Sequence, residues 1–97
     1  PSDLPRPISI IPMDEDSQIV GLKLADRLRR ANLFIDYAYS GTAKKRLAKA
    51  NKARAKAAIL IEKNKVSKGV VTVRDMEIGE QVEASLTSLE EDLARYR

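Results

Sequence analysis

The sequence contains no cysteine, no histidine and no tryptophan, and only 4% of its residues are aromatic. Without cysteine or histidine, a chain cannot form disulfides, Ser-His-Asp or Cys-His nucleophile arrangements, or zinc sites built on those ligands. We therefore expect no catalytic residues and no bound metal in this chain. Its longest aliphatic run, residues 57–61, is too short to span a bilayer, which predicts a cytoplasmic location away from membranes.

The composition describes one small folded domain, since 43% of the 97 residues are hydrophobic and 33% are charged. Eighteen Lys and Arg against 14 Asp and Glu give a net charge of +4, which suits a polyanionic partner. Three of the four prolines lie in the opening segment. We therefore predict a linker over residues 1–7 and a domain over residues 8–97. Because the chain begins at Pro1 rather than at methionine, we expect it to be a piece of a longer protein.

Hydrophobic periodicity predicts the element order βαβαβββα. The predicted strands cover residues 8–12, 34–38, 57–61, 70–73 and 81–86. The predicted helices run from a cap within residues 14–17 to about Ala31, over residues 43–53, and from Ser88 toward Tyr96. Helical crossovers between the first three strands give a small doubly wound parallel sheet, in which residues 57–61 form the middle strand. Short connections make the last strands antiparallel neighbours. The fold class is therefore α/β.

Several side chains have local structural roles in this interpretation. The acidic residues 14–16 favour capping of the first helix over a metal cluster, because carboxylates stabilise helix N-termini. The residues Ser88 and Glu91 have the spacing of a capping box at the head of the last helix. We expect Phe34 in the core, and we expect residues 40–42 to form a turn rather than a phosphate-binding loop.

The main chemical signal is a basic segment that contains no acidic residue. Its cations are Lys44, Lys45, Arg46, Lys49, Lys52, Arg54 and Lys56. On a helix, Lys45, Lys49 and Lys52 lie in one stripe. The opposing apolar stripe consists of Ala43, Leu47 and Ala50. Such a stripe can contact phosphates with salt-dependent affinity and little sequence discrimination. A solvated lysine face with no partner is the alternative interpretation.

A few residues outside this helix are secondary candidates for nucleic-acid contact. Tyr39 lies near the basic helix and could stack on an unpaired base, whereas Tyr37 fits a half-buried strand position better. Lys68 and Arg74 lie near the predicted strand pair and could also reach RNA. Exposed strand charges that protect a sheet edge are the alternative for these two.

The segment 40–52, followed by residues 57–61 and then Gly79-Glu80-Gln81, resembles the C-terminal anticodon-binding domain of histidyl-tRNA synthetases. Residues 10–12, 24–29 and 71–75 extend the resemblance over almost the whole chain. Related domains occur in the threonyl, prolyl and glycyl enzymes, but the lysine-rich helix and the Gly79-Glu80-Gln81 turn fit the histidyl branch better. One departure is Arg54, which stands where this family usually has a glycine that ends the second helix.

The resemblance implies a three-layer α/β/α fold whose five-stranded mixed sheet has the order 2-1-3-4-5, with strand 4 antiparallel. It also implies a noncatalytic domain that binds the anticodon stem-loop of histidine tRNA and needs no cofactor. The parent histidine–tRNA ligase, a homodimer, would bind ATP, histidine and magnesium elsewhere. The predicted phosphate contacts are Lys44, Lys45, Arg46, Lys49 and Lys52.

Two alternatives to tRNA binding remain open at this point. The first is a synthetase-derived protein-interaction or regulatory domain that takes no part in tRNA charging. The second is a small nucleotide-binding enzyme domain, which would fit the doubly wound beginning of the chain. The second alternative rests on the fold alone, because the sequence has no glycine-rich phosphate loop and no catalytic pair.

Overall fold

A computed structural model describes residues 6–37, 43–52 and 54–96, without the side chains of residues 43, 49 and 52. The strands are β1 (Ile8–Pro12), β2 (Ile35–Tyr37), β3 (Ala57–Ile61), β4 (Val70–Asp75) and β5 (Gln81–Ser85). The helices are α1 (Ser17–Arg30), α2 (Ala43–Lys52), α3 (Lys63–Val66) and α4 (Leu89–Asp92). Turns of 3₁₀ helix at Leu86–Ser88 and Ala94–Tyr96 flank α4. The short helix α3 was not predicted. No helix in these ranges has the length and apolar composition needed to cross a membrane.

The five strands form one mixed sheet in the order β2-β1-β3-β4-β5, which confirms the predicted topology. β1 pairs in parallel with β2 and β3, and β4 pairs antiparallel with β3 and β5. Every residue of β1 and β3 is buried, as expected for central strands covered on both faces. The continuous apolar run at residues 57–61 therefore lies at the centre of the sheet, as predicted.

Helices cover both faces of the sheet. On one face, Leu28 of α1 and Leu89 of α4 pack against Ile10 and Ile59 in the larger core cluster. Successive strand residues point to opposite faces, so the other face carries a second cluster. Its members are Ile11, Ala50, Ala55, Ala58 and Leu60, with Leu47 and Met76 packed against them. These contacts give the predicted α/β/α layers, with α2 on the face opposite α1.

The predicted core position of Phe34 is wrong, because its side chain is 55% exposed. Leu33, Ile35 and Tyr37 are buried, so alternation along this edge strand directs residue 34 outward. Tyr37 is the large core side chain here, and its hydroxyl donates a hydrogen bond to the Gln18 carbonyl at 2.9 Å. Its burial agrees with its predicted place in a strand.

The acidic segment bonds to the start of α1 through Asp14 alone, since the N-cap residue Asp16 makes no side-chain capping bond. One Asp14 carboxylate oxygen accepts hydrogen bonds from the Ser17 amide at 2.9 Å and from the Ser17 hydroxyl at 2.7 Å. The other oxygen accepts the Lys63 amide at 2.9 Å, which joins α1 to the start of α3. These bonds, led by that from Lys63, lower the pKa of Asp14.

The predicted capping box at Ser88 is wrong. The Ser88 hydroxyl donates to a carboxylate oxygen of Asp92 at 3.2 Å and makes no capping bond. The cap belongs to Ser85, whose hydroxyl accepts the Thr87 amide at 3.3 Å and begins a 3₁₀ turn. The segment predicted as one terminal helix is instead one turn of α-helix, α4, between two 3₁₀ turns.

The end of α2 has a left-handed residue, as in helices that end with glycine. Arg54 has φ 60°, and the Ala55 amide donates to the Ala50 carbonyl at 3.0 Å. The Arg54 amide donates to the Asn51 carbonyl at 3.1 Å, which completes a Schellman motif. Arg54 therefore adopts the left-handed geometry that glycine commonly provides at the end of a helix.

Candidate nucleic-acid interface

Helix α2 presents a polar surface to solvent and a narrow apolar surface to the sheet. Ala50 is buried against the sheet and Leu47 is half-buried, whereas Lys44 and Lys45 are exposed. Lys44 forms no ion pair within the part of the chain that the structure describes. Its ammonium group is therefore available to an external anion.

Arg46, predicted to contact phosphate, does not lie on the exposed surface. Its side chain is buried at 6% exposure, and its Nη1 donates to the Pro12 carbonyl at 2.9 Å. Arg46 lies one helical turn before Ala50, so it shares the face of α2 that packs on the sheet. Its role in this structure is to attach α2 to the end of β1. The prediction that it lies among the exposed cations is wrong.

Three of the predicted contact residues lie outside what the structure describes. Lys49 and Lys52 belong to α2, but their side chains are not described, and Tyr39 falls in the gap before the helix. Their roles in nucleic-acid contact stay predictions. The predicted contact residues whose side chains are described and not buried are Lys44, Lys45, Lys68 and Arg74.

A groove of about 310 Å³ separates α2 from the end of β4. Its lining residues are Lys44, Leu47, Ala48, Asn51, Arg74 and Met76. The four α2 residues have the spacing i, i+3, i+4 and i+7, so they form one stripe along the helix. The groove thus combines two cations, one amide and an apolar floor of Leu47 and Met76. Asn51 and Met76 were missed in the sequence, although the helical stripe from Lys44 includes Asn51.

Arg74 reaches the groove because β4 directs it to the α2 face of the sheet. It lies opposite Ala58, which packs under α2. Its Nη1 donates to the Gln81 side-chain oxygen at 3.0 Å. Arg74 and Gln81 together present hydrogen-bond donors and an acceptor beside the groove.

Lys68 is exposed but lies away from this groove. It precedes β4, whereas Arg74 is near the opposite end, and six strand residues span roughly 20 Å. The nearby Lys65 is engaged by Glu83 at 3.3 Å and by the Thr72 hydroxyl at 3.3 Å. The structure therefore brings Lys44 and Arg74 together and leaves Lys68 apart.

The described residues offer no site for a metal, because no three acidic side chains converge among them. The strongest ion pair of α1 joins Arg27 to Glu90 and lies on the sheet face opposite the groove. The arginine holds the pKa of the Glu90 carboxyl below its usual value. The chemistry available at the groove is binding of anions and of planar polar groups.

Comparisons with known proteins agree with this architecture. Residues 8–96 match the family model described as an anticodon binding domain. The histidine–tRNA ligase of Rhodospirillum rubrum is 45% identical over 92 residues, which cover 95% of this chain and 22% of the ligase. The chain therefore spans about a fifth of the length of that curated relative.

Two solved structures show the same fold. The apo histidyl-tRNA synthetase of S. aureus matches with a TM-score of 0.84 at 23% identity, over 93% of this chain and 23% of that protein. The RNA binding domain of threonyl-tRNA synthetase from Cryptosporidium parvum matches with a TM-score of 0.85 at 18% identity, over 95% of this chain and 24% of that chain. The family match, the similar ligase sequence and the shared fold lead to one conclusion: the chain belongs to the anticodon binding domain family.

Proposed function

We propose that this chain is the tRNA-binding domain of a histidyl-tRNA synthetase and that its α2 groove contacts the anticodon stem-loop of histidine tRNA. The observation that supports this best is the shared groove of Lys44 and Arg74, two cations from separate elements. The high similarity to a histidine–tRNA ligase supports the choice of tRNA.

Lysine and arginine have different tasks in this proposal. Lys44 and Lys45, at the exposed start of α2, contact phosphates and orient the stem, with release of counterions. Arg74, Asn51 and Gln81 face the unpaired bases, whose edges carry both donors and acceptors. Leu47 and Met76 give the flat face of a base an apolar surface.

The chemistry of tRNA charging belongs to the rest of the parent protein. We propose that the domain performs no catalytic step and holds no cofactor. The parent would be a cytoplasmic, homodimeric ligase that uses ATP, magnesium and histidine. The domain would contribute to selection of the tRNA before histidine is attached.

The test is a titration of the chain with a histidine tRNA transcript and with a transcript of altered anticodon, each at several salt concentrations. We expect tighter binding of the histidine transcript, and affinity that falls as salt rises. Lys44→Gln and Arg74→Gln should each weaken binding several-fold. Loss of a phosphate contact should make the slope of log affinity against log salt shallower by about one or less.

Lys23→Gln is the matched control, because Lys23 is an exposed lysine of α1 and lies on the other face of the sheet. It removes the same charge and should leave the affinity nearly unchanged. Equal affinity for the two transcripts would refute anticodon recognition. If the chain binds neither transcript at any salt concentration, the result would instead favour the protein-interaction alternative.

A further inference from the structure

Asp75 lies beside Arg74 in β4 but on the opposite face of the sheet. It lines a second cavity of about 240 Å³, whose other residues are Arg6, Lys56, Glu77, Arg95 and Tyr96. This cavity brings together the N-terminal segment, the turn after β4 and the C-terminal 3₁₀ turn. The Asp75 side chain is only 16% exposed and does not line the α2 groove.

The Asp75 carboxylate organises the turn formed by residues 76–80. One oxygen accepts the Glu77 amide at 2.9 Å and the Ile78 amide at 3.2 Å. The Asp75 carbonyl accepts the Gly79 amide at 2.8 Å, and its own amide donates to the Glu80 carbonyl at 2.8 Å. Aspartate favours such turns because its side chain can bond to the backbone of the next residues.

The other carboxylate oxygen fixes this turn to the C-terminal segment. It accepts the Tyr96 hydroxyl at 3.1 Å, and Arg95 lies 3.8 Å away. Amide donation, first from Glu77, lowers the pKa of Asp75, so the group is charged at neutral pH. The turn is held on the other side by Arg6, which forms an ion pair with Glu77 and donates to the Arg54 carbonyl at 2.7 Å.

Two residues of this turn, Met76 and Gly79, lie close to Arg74. Met76 supplies the groove floor, and Gln81, just after the turn, accepts a hydrogen bond from Arg74. A Cβ atom built on Gly79 would lie 3.9 Å from Arg74 Nη2. Movement of the turn would therefore move the groups that place this guanidinium.

We propose that Asp75 is a positioning residue for RNA binding: it contacts no RNA, and it fixes the 76–80 turn so that Arg74 faces the groove. This inference rests on the proposed function. It assigns the cavity around Tyr96 a role in shaping a site on the opposite face of the sheet.

The experiment is a double-mutant cycle between Asp75 and Arg74, measured by titration with the histidine tRNA transcript. Asp75→Ala should weaken binding by about the same factor as Arg74→Ala, and the double variant should bind as weakly as Arg74→Ala alone. Asp75→Asn should keep wild-type binding, because the side-chain amide oxygen can still accept hydrogen bonds from the backbone amides of the turn. Tyr96→Phe removes only the bond to the C-terminal segment, and it should weaken binding less than Asp75→Ala does, because the turn amides keep their acceptor.

A readout without RNA separates the two proposals. In ¹⁵N NMR spectra of the free chain, Asp75→Ala should shift the Arg74 side-chain Nε–Hε resonance, and Asp75→Asn should leave it in place. The positioning role would be overturned if the double variant lost affinity by the product of the two single losses. It would also be overturned if the Arg74 resonance did not move in Asp75→Ala. Absence of tRNA binding by the wild-type chain would refute the proposed function. The NMR comparison would still test whether Asp75 determines the position of the Arg74 side chain.

If Asp75→Ala does not fold, Gly79→Ala provides a second variant. Gly79 has φ 77°, so alanine strains the turn without touching the carboxylate. It should show the same loss of binding and the same absence of further loss when combined with Arg74→Ala. If the Gly79→Ala variant folds and its Arg74 resonance moves, but it binds tRNA as the wild type does, the result would contradict the proposal.

Discussion

Arg54 shows how a single residue can carry a conformational cost inside a stable fold. Its left-handed backbone brings its Cβ close to its carbonyl oxygen, which costs an L-residue roughly 1–2 kcal/mol. The bonds of the Schellman motif and the Arg6 bond to its carbonyl hold this geometry. The strain is therefore present at a position where glycine would avoid it.

We expect Arg54→Gly to raise the free energy of unfolding by about 1 kcal/mol, because glycine adopts this conformation without steric cost. Urea denaturation monitored by circular dichroism measures the change. Arg54→Ala is the control, since it removes the same side chain and keeps the Cβ. Equal stability of the glycine and alanine variants would show that backbone strain does not matter here.

At the scale of elements, attachment of α2 to the sheet depends on a buried cation. Arg46→Gln should lower the free energy of unfolding by about 1–3 kcal/mol, since a charged hydrogen bond to the Pro12 carbonyl is lost. Lys44→Gln removes the same charge from an exposed position of the same helix and should change stability by less than about 0.5 kcal/mol. Thermal and urea unfolding of the two variants make the comparison.

A similar small effect of both substitutions would mean that Arg46 does not anchor α2. When the two variants are compared at equal folded fraction, Lys44→Gln should lower tRNA affinity more than Arg46→Gln does. Lys44→Gln should weaken tRNA binding, whereas Arg46→Gln should act on RNA only through the position of the helix.

The order and direction of the strands could be predicted from the sequence, but the short helix α3 and the facing of individual side chains could not. The apolar run at residues 57–61 is typical of a strand covered on both faces, and it forms the central strand β3. Phe34 is exposed because alternation turns Leu33 and Ile35 inward. Arg46 is buried because it bonds to the Pro12 carbonyl. A long arginine can lie along a packed face and reach a strand carbonyl, which composition does not reveal.

The groove could be predicted only in part for a related reason. The positive charge of α2 is visible in the sequence, as is Arg74. Their meeting depends on β4 lying beside β3 in a register that places Arg74 opposite Ala58. That register is a property of the whole sheet, and no local pattern encodes it.

At the scale of the whole molecule, three carboxyls of the described ranges contribute to stability in their charged form. Asp14, Asp75 and Glu90 all have pKa values below their ordinary values, through amide or arginine hydrogen bonds. Between the folded and unfolded pKa values, the unfolded chain binds more protons, so acid favours unfolding. Their contribution is fully present above about pH 4 to 5 and is lost as the pH falls through the folded values.

We expect Glu90→Gln to lower stability at pH 7 by about 1 kcal/mol or less, because its partly exposed pair with Arg27 is screened by water. The variant should also lose less stability than the wild type between pH 5 and pH 2.5. Urea midpoints across that range test both effects. Glu91→Gln, on the exposed side of α4, should keep the wild-type acid profile. An unchanged profile for Glu90→Gln would exclude this pair as a source of acid sensitivity.

The cavity that holds Arg6 and Tyr96 together also bears on how the domain could be rebuilt. Both ends of the described chain meet at one corner, so a short peptide could join them without crossing the sheet. The exposed turn at residues 67–69 could then be opened to create new termini. Such a circular permutant would keep the α2 groove, and its termini would lie at the turn of residues 67–69 instead of beside Arg6 and Tyr96.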